Sequence, residues 1–222
     1  MPASPVEGCG SADRRASSRG MLEVNELSAG HAAAGYWHFI RELIRHPREI
    51  GAMCPSSPYL ARRMASLVPS GEGVVLELGA GGGAVTAALL NGGVAPHDLI
   101  LVERSAALAA HLSRRFPGVE LIHGDAVHLS RFEVLRQQPI RAIVSSLPLR
   151  SLRRSVVRQV LEQISAISAP GTMFIQFTYA LRGRFQDTAA GFERDQMHVV
   201  WRNLPPARIE AYRFLAGSIQ RG

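Results

Sequence analysis

Short runs of aliphatic and β-branched residues alternate with helix-period stretches through the middle of the chain. Val74-Val75-Leu76-Glu77-Leu78 ends in glycines and leads into a predicted helix from Ala84 to Leu90. Leu99-Ile100-Leu101-Val102 repeats the pattern ahead of a helix from Ser105 to Phe116, and Val119 to Ile122 makes a third strand. Ile140 to Ser145 is a fourth, followed by a helix from Leu152 to Ser168, and Thr172 to Thr178 is a fifth. This alternation predicts an α/β fold: a Rossmann-like, doubly wound, seven-stranded and mostly parallel sheet with helices on both faces. The tail changes rhythm. Met197 to Trp201 and Arg208 to Phe214 are strand-like and joined through Pro205-Pro206, which predicts a closing antiparallel hairpin.

Upstream of the sheet the pattern is helical. Residues 1–30 lack periodicity and read as a disordered lead, residues 31–70 as an N-terminal helical segment, and residues 71–222 as the α/β domain. At 100° per residue, Tyr36, Trp37, Phe39, Ile40, Leu43 and Ile44 share one arc of roughly 160°, with His38, Arg41, Glu42 and Arg45 opposite. Such a helix can pack on the domain or lie in a lipid headgroup layer, anchored by Trp37 and drawn by its arginines. A second helix, Tyr59 to Leu67, ends before Pro69.

Composition narrows the partners. The chain has 222 residues and a formal charge of +7, favouring an anionic partner. Every one of its 25 basic side chains is arginine, which grips phosphate bidentately. Two cysteines, Cys9 and Cys54, have neither metal-ligand spacing nor a disulfide framework, and the histidines are scattered, so no metal is expected. With no apolar stretch of spanning length, the expected location is cytoplasmic, with membrane contact at most peripheral.

Glu77-Leu78-Gly79-Ala80-Gly81-Gly82-Gly83 closes the first strand. Glycines there allow a tight turn and close backbone approach to a ligand, although Gly79-x-Gly81-x-x-Ala84 also fits a dinucleotide fingerprint. The acids separate the two. Glu77 lies inside a strand where an unpaired carboxylate is costly to bury, Glu103 ends the second strand where it can accept ribose hydroxyls, and Asp125 follows the third where it can accept from an adenine amino group. This ordered series resembles the motifs of class I S-adenosylmethionine-dependent methyltransferases across residues 73–180. The resemblance implies S-adenosylmethionine as cofactor, bound by Glu77, Gly79, Ala80, Gly81, Gly83, Glu103, Arg104, Asp125, Ala126 and Ser145. It also implies direct methyl transfer, in which positioning supplies most of the acceleration.

The acceptor is read from the loop after the fourth strand, Ser145-Ser146-Leu147-Pro148-Leu149. Enzymes that methylate adenine amino groups carry an aromatic residue here to stack on the base. The serine-leucine-proline-leucine loop, with His46 to Ser57 upstream, resembles bacterial phosphatidylethanolamine N-methyltransferases of the peripheral kind. That implies an ethanolamine phospholipid as acceptor, Ser145, Ser146 and Tyr179 as catalytic residues, and Ser56 at the cofactor. Tyr36, Trp37, Ile40, Arg41, Arg45 and Arg182 are then the substrate and membrane contacts. An RNA adenine N6-methyltransferase is the alternative.

Overall fold

The computed structural model describes residues 57–181 and 191–215. The expected helix around Trp37, together with Tyr36, Ile40, Arg41, Arg45, Ser56 and Arg182, lies outside the described residues. Among the described residues seven strands form one sheet: β1 Val74–Leu78, β2 Leu99–Glu103, β3 Glu120–His123, β4 Ile140–Ser145, β5 Met173–Thr178, β6 Phe192–Val200 and β7 Ala207–Phe214. Their order across the sheet is β3-β2-β1-β4-β5-β7-β6. The first five run parallel, and β7 lies antiparallel to both β5 and β6. The mostly parallel sheet and its closing hairpin are therefore as the apolar rhythm predicts.

Period-two alternation assigns the two faces. Val75 of β1, Val144 of β4 and Ile175 of β5 are buried on one side against α1 (Pro58–Ala65), α2 (Ala84–Asn91) and Leu112 of α3 (Ala106–Arg115). Leu76, Ile143 and Phe174 face the other, under Leu129, Leu135 of α4 (Val134–Gln137) and Val157, Val160, Leu161 and Ile164 of α5 (Arg154–Ile167). Each such fully buried aliphatic side chain contributes about 1.5–3 kcal/mol. Phe174 adds aromatic contacts, with ring centroids 5.8 Å from Phe192 and 6.2 Å from Tyr212.

Local signals set the ends of these elements. Ser57 caps α1, its side chain accepting from the Leu60 N–H at 3.2 Å ahead of Pro58. Ser105 does the same for α3 through the Leu108 N–H. α1 buries Leu60, Ala61 and Met64 in the domain core, so this helix belongs to the sheet's own packing.

Two elements depart from expectation. β6 begins at Phe192 rather than near Met197, because Glu193 to Met197 form an exposed sheet edge whose charged residues hide its strand character. A 3₁₀ turn at Ala126–Arg131 fills the connection after β3, with its Ser130 N–H and hydroxyl both donating to Gln163 of α5. The chain runs from β1 to one side through β2 and β3, then crosses to β4 on the other. That reversal opens a crevice at the carboxyl ends of β1 and β4.

Candidate active site

The glycine turn from β1 into α2 occupies this crevice. Gly79 and Gly83 have φ of +71° and +80°. A Cβ on Gly79 would stand 2.8 Å from Leu147 Cδ2, and one on Gly83 2.5 Å from Phe116 Cε2. Both conformation and space therefore require glycine at these two positions.

Glu103, at the end of β2, holds the turn. Its Oε2 accepts from the Gly81 N–H at 3.0 Å and its Oε1 from the Ser105 N–H at 2.8 Å. Each carboxylate oxygen keeps further acceptor capacity, so the same side chain can receive ribose hydroxyls. Asp125 stands after β3, where Oδ1 accepts from the Val127 N–H at 3.2 Å and Oδ2 lies 3.7 Å from Arg104 Nη1. Ala126 beside it is buried.

Sheet order places Asp125, Glu103, Gly79 and Ser145 at the ends of four adjacent strands. At the usual strand spacing this row is about 14 Å long.

Glu77 faces α2 and is fully buried. Its Oε2 accepts from the Thr86 hydroxyl at 2.7 Å, while Oε1 has no hydrogen-bond partner among the described residues. Burial pushes its pKa from 4.5 up to about 8, the Thr86 hydroxyl and N–H pull it partly back, and the Glu103 charge adds to the rise. A cationic group drawn into reach of Oε1 would favour the carboxylate.

The loop after β4 is shaped by its own polar atoms. Ser145 Oγ is buried and accepts from the Leu147 N–H at 3.3 Å, so the structure shows this hydroxyl setting the loop. The Leu147 carbonyl accepts from the Leu149 N–H at 2.8 Å and from Gln176 Nε2 at 3.0 Å, which occupies it in place of an acceptor. Ser146 Oγ is buried without a hydrogen-bond partner among the described residues. Tyr179 packs edge-on to Phe177 with ring centroids 5.4 Å apart.

Residues 75–171 match the methyltransferase domain family. With the sheet order, the glycine turn and the acids at successive strand ends, this makes the chain a class I S-adenosylmethionine-dependent methyltransferase. Its cofactor is S-adenosylmethionine, which the orphaned Glu77 Oε1 and the Cβ-free turn at Gly79 fit. The chain is 28% identical over 186 residues to the ornithine lipid N-methyltransferase of Singulisphaera acidiphila, covering 78% of this chain and 92% of that protein. Among solved structures it resembles TrmN from Thermus thermophilus, with a TM-score of 0.59 and 22% identity over 74% of this chain. It spans about half, 51%, of that protein. The N-methyltransferase NodS from Bradyrhizobium japonicum, solved with S-adenosyl-L-homocysteine, also gives a TM-score of 0.59, at 16% identity over 78% of this chain and 97% of that one.

Sequence reasoning missed four contributors. Thr86 is the polar residue in the otherwise aliphatic stretch Ala84 to Leu90, a signal that it has a buried partner. Gln176 stands out similarly inside the apolar β5. Arg208 and Glu210 of β7 form a buried pair at 3.4 Å, and Arg208 Nη1 donates to the Leu181 carbonyl at 3.0 Å, fixing the segment that follows Tyr179.

Two outcomes follow from this geometry. Gly83→Ala should lose about 1–3 kcal/mol in urea unfolding from the left-handed backbone and the Phe116 clash, whereas Gly82→Ala, which meets nothing within 4 Å, should be neutral. Equal effects would contradict the turn as described. Between about pH 4.5 and pH 8 the folded chain retains a proton on Glu77 that the unfolded chain releases, so stability falls as pH rises through this window. Unfolding of Glu77→Gln should depend less steeply on pH across that range than unfolding of the parent; parallel slopes would refute the assignment.

Proposed function

We propose that this methyltransferase acts on the amine of a membrane lipid, with the ethanolamine headgroup of phospholipids as its substrate, and that it works as a peripheral protein on the inner face of the cell membrane. The observation that carries the reading is the loop after β4. Leu149, at the position where a base-stacking aromatic would stand, is turned into the core beneath α5, leaving a wall of Leu147 and Pro148 with no flat ring. A planar base gains no stacking partner there. A small aliphatic amine needs none.

The relative named for ornithine lipid supports a lipid-borne amine, since ornithine and ethanolamine lipids both present nitrogen at a bilayer surface. Among the described residues no helix is long and apolar enough to cross a membrane. In this reading the segment around Trp37, with Tyr36, Ile40, Arg41 and Arg45, meets the headgroup layer, and Arg182 receives lipid phosphate.

S-adenosylmethionine, when bound, supplies a methyl group already activated on a sulfonium sulfur. Glu103 and Asp125 hold its nucleoside, with Arg104 and Ala126 beside them, and Glu77 offers its second oxygen to the amino-acid end. Gly79, Ala80, Gly81 and Gly83 provide close backbone. Ser56 completes the cofactor side. Ser146 Oγ accepts from the substrate amine, Ser145 keeps the loop in place and Tyr179 closes the acceptor side. Aliphatic walls keep the amine poorly hydrated, which favours its neutral, nucleophilic form.

Labelled S-adenosylmethionine should be incubated with the protein and, separately, with phosphatidylethanolamine vesicles, ornithine-lipid vesicles and ribosomal RNA. Label is expected in phosphatidylethanolamine. Label in ornithine lipid alone would overturn the headgroup, and label in RNA alone would overturn the lipid reading altogether.

A further inference from the structure

The turn joining β6 to β7 carries side chains that the proposed chemistry does not use. Trp201 is 71% exposed and Leu204 is 87% exposed, and both sit on the same short connection. Val200 pairs with Ala207, and the neighbouring Arg208 pairs with Thr178, the last residue of β5. The tip therefore projects beyond the carboxyl ends of the strands, the end of the sheet at which Gly79 and Ser145 lie. Leu181, 37% exposed, follows β5 at this same end, held through its carbonyl by Arg208.

This tip is built. Asn203, between the two exposed residues, is buried; its Oδ1 accepts from the Ser57 N–H at 3.0 Å, and its Nδ2 donates to the Pro205 carbonyl at 2.7 Å. One side chain thus locks the turn against the start of α1 while Trp201 and Leu204 stay outward. Single exposed apolar residues are ordinary on a protein surface. A large aromatic and a leucine held outward on an anchored turn form a patch.

Positive charge flanks it. The guanidinium carbons of Arg62 and Arg202 lie 5.0 Å and 5.1 Å from the ring centroid of Tyr59, itself 45% exposed. Arg63 Nη2 lies 2.9 Å from His198 Nδ1, and burial together with the Arg63 charge keeps that imidazole's pKa below its usual value. No ion pair among the described residues engages Arg62, Arg63 or Arg202. Tryptophan and leucine beside unneutralised arginines match a bilayer interface, where the apolar groups enter the acyl boundary and the guanidinium groups meet anionic phosphates.

We infer that the β6–β7 tip, Trp201 and Leu204 with Tyr59, Arg62 and Arg202, is a docking surface for an anionic lipid bilayer. It draws on none of the residues around Trp37 and shares with the proposed function only the membrane as partner. Docking here turns the carboxyl end of the sheet towards the lipid, so an amine headgroup reaches the crevice without leaving the interface.

The chain has two tryptophans, so the full-length Trp37→Phe variant leaves Trp201 as the sole reporter. Added to vesicles of phosphatidylcholine and phosphatidylglycerol, which offer no amine to methylate, it should show blue-shifted emission and quenching by brominated acyl chains. Trp201→Glu/Leu204→Glu in the parent chain should lower vesicle partitioning about tenfold or more. Arg62→Ala and Arg202→Ala should each lower it about fivefold. Vesicles of phosphatidylcholine alone should bind more weakly. Binding of S-adenosyl-L-homocysteine by each variant checks the fold.

Sedimentation with vesicles while Trp201 emission stays unchanged would overturn the inference and leave the Trp37 segment as the membrane element. Failure to sediment would overturn it too. Trp201 insertion without methyl transfer to any lipid would sustain the docking surface and sink the proposed acceptor.

Discussion

The Glu103 carboxylate, shared between two backbone N–H groups, is the constraint on which the site depends. A turn of four glycines among five residues has little intrinsic reason to hold one conformation, since glycine loses more backbone entropy on ordering than any other residue. Glu103 fixes it from outside by receiving the Gly81 N–H on one oxygen and the Ser105 N–H on the other. A hydrogen bond to a charged acceptor contributes about 1.5–3 kcal/mol. Two of them tie the turn after β1 and the start of α3 to the end of β2, at the row of strand ends that borders the crevice.

Glu77 faces the opposite problem. It is buried beneath the turn with one oxygen satisfied by Thr86, and burial raises its pKa to about 8. A fold maximising stability would place an aliphatic residue there. Keeping a carboxylate with a spare oxygen beside a ligand cleft is the kind of local cost that functional sites carry, and it gives the cleft a means of favouring a cationic ligand. The two acids thus differ: Glu103 shapes the turn, and Glu77, its pKa raised by burial, favours the carboxylate only where a cation comes within reach.

The parts legible in the sequence were those in which a local rule and the tertiary environment agree. Strands β1, β2, β4 and β5 are buried on both faces and so read as uninterrupted apolar runs, and the glycines and acids at their ends fall where a parallel sheet places ligands. β6 was half hidden because an edge strand carries charge where a central strand carries valine. Thr86, Gln176, Arg208 and Glu210 were missed for another reason. Their significance lies in partners that only the tertiary fold supplies: Thr86 and Gln176 stand out as polar residues in apolar runs, but linear spacing does not announce that Gln176 reaches the Leu147 carbonyl or that Arg208 holds the Leu181 carbonyl. The loop at Ser145 shows the same limit, since its composition does not announce that the Ser145 hydroxyl accepts from the Leu147 N–H and helps to shape the turn.

Glu103 builds the turn, and its proposed cofactor role asks the same carboxylate to receive the ribose hydroxyls. Calorimetric titration of S-adenosylmethionine into the parent protein and Glu103→Gln tests it, because glutamine keeps the volume but replaces one acceptor oxygen with a donor. Affinity should fall about tenfold or more, the equivalent of one charge-assisted hydrogen bond. Equal affinity in the two proteins, each shown to be folded, would contradict it.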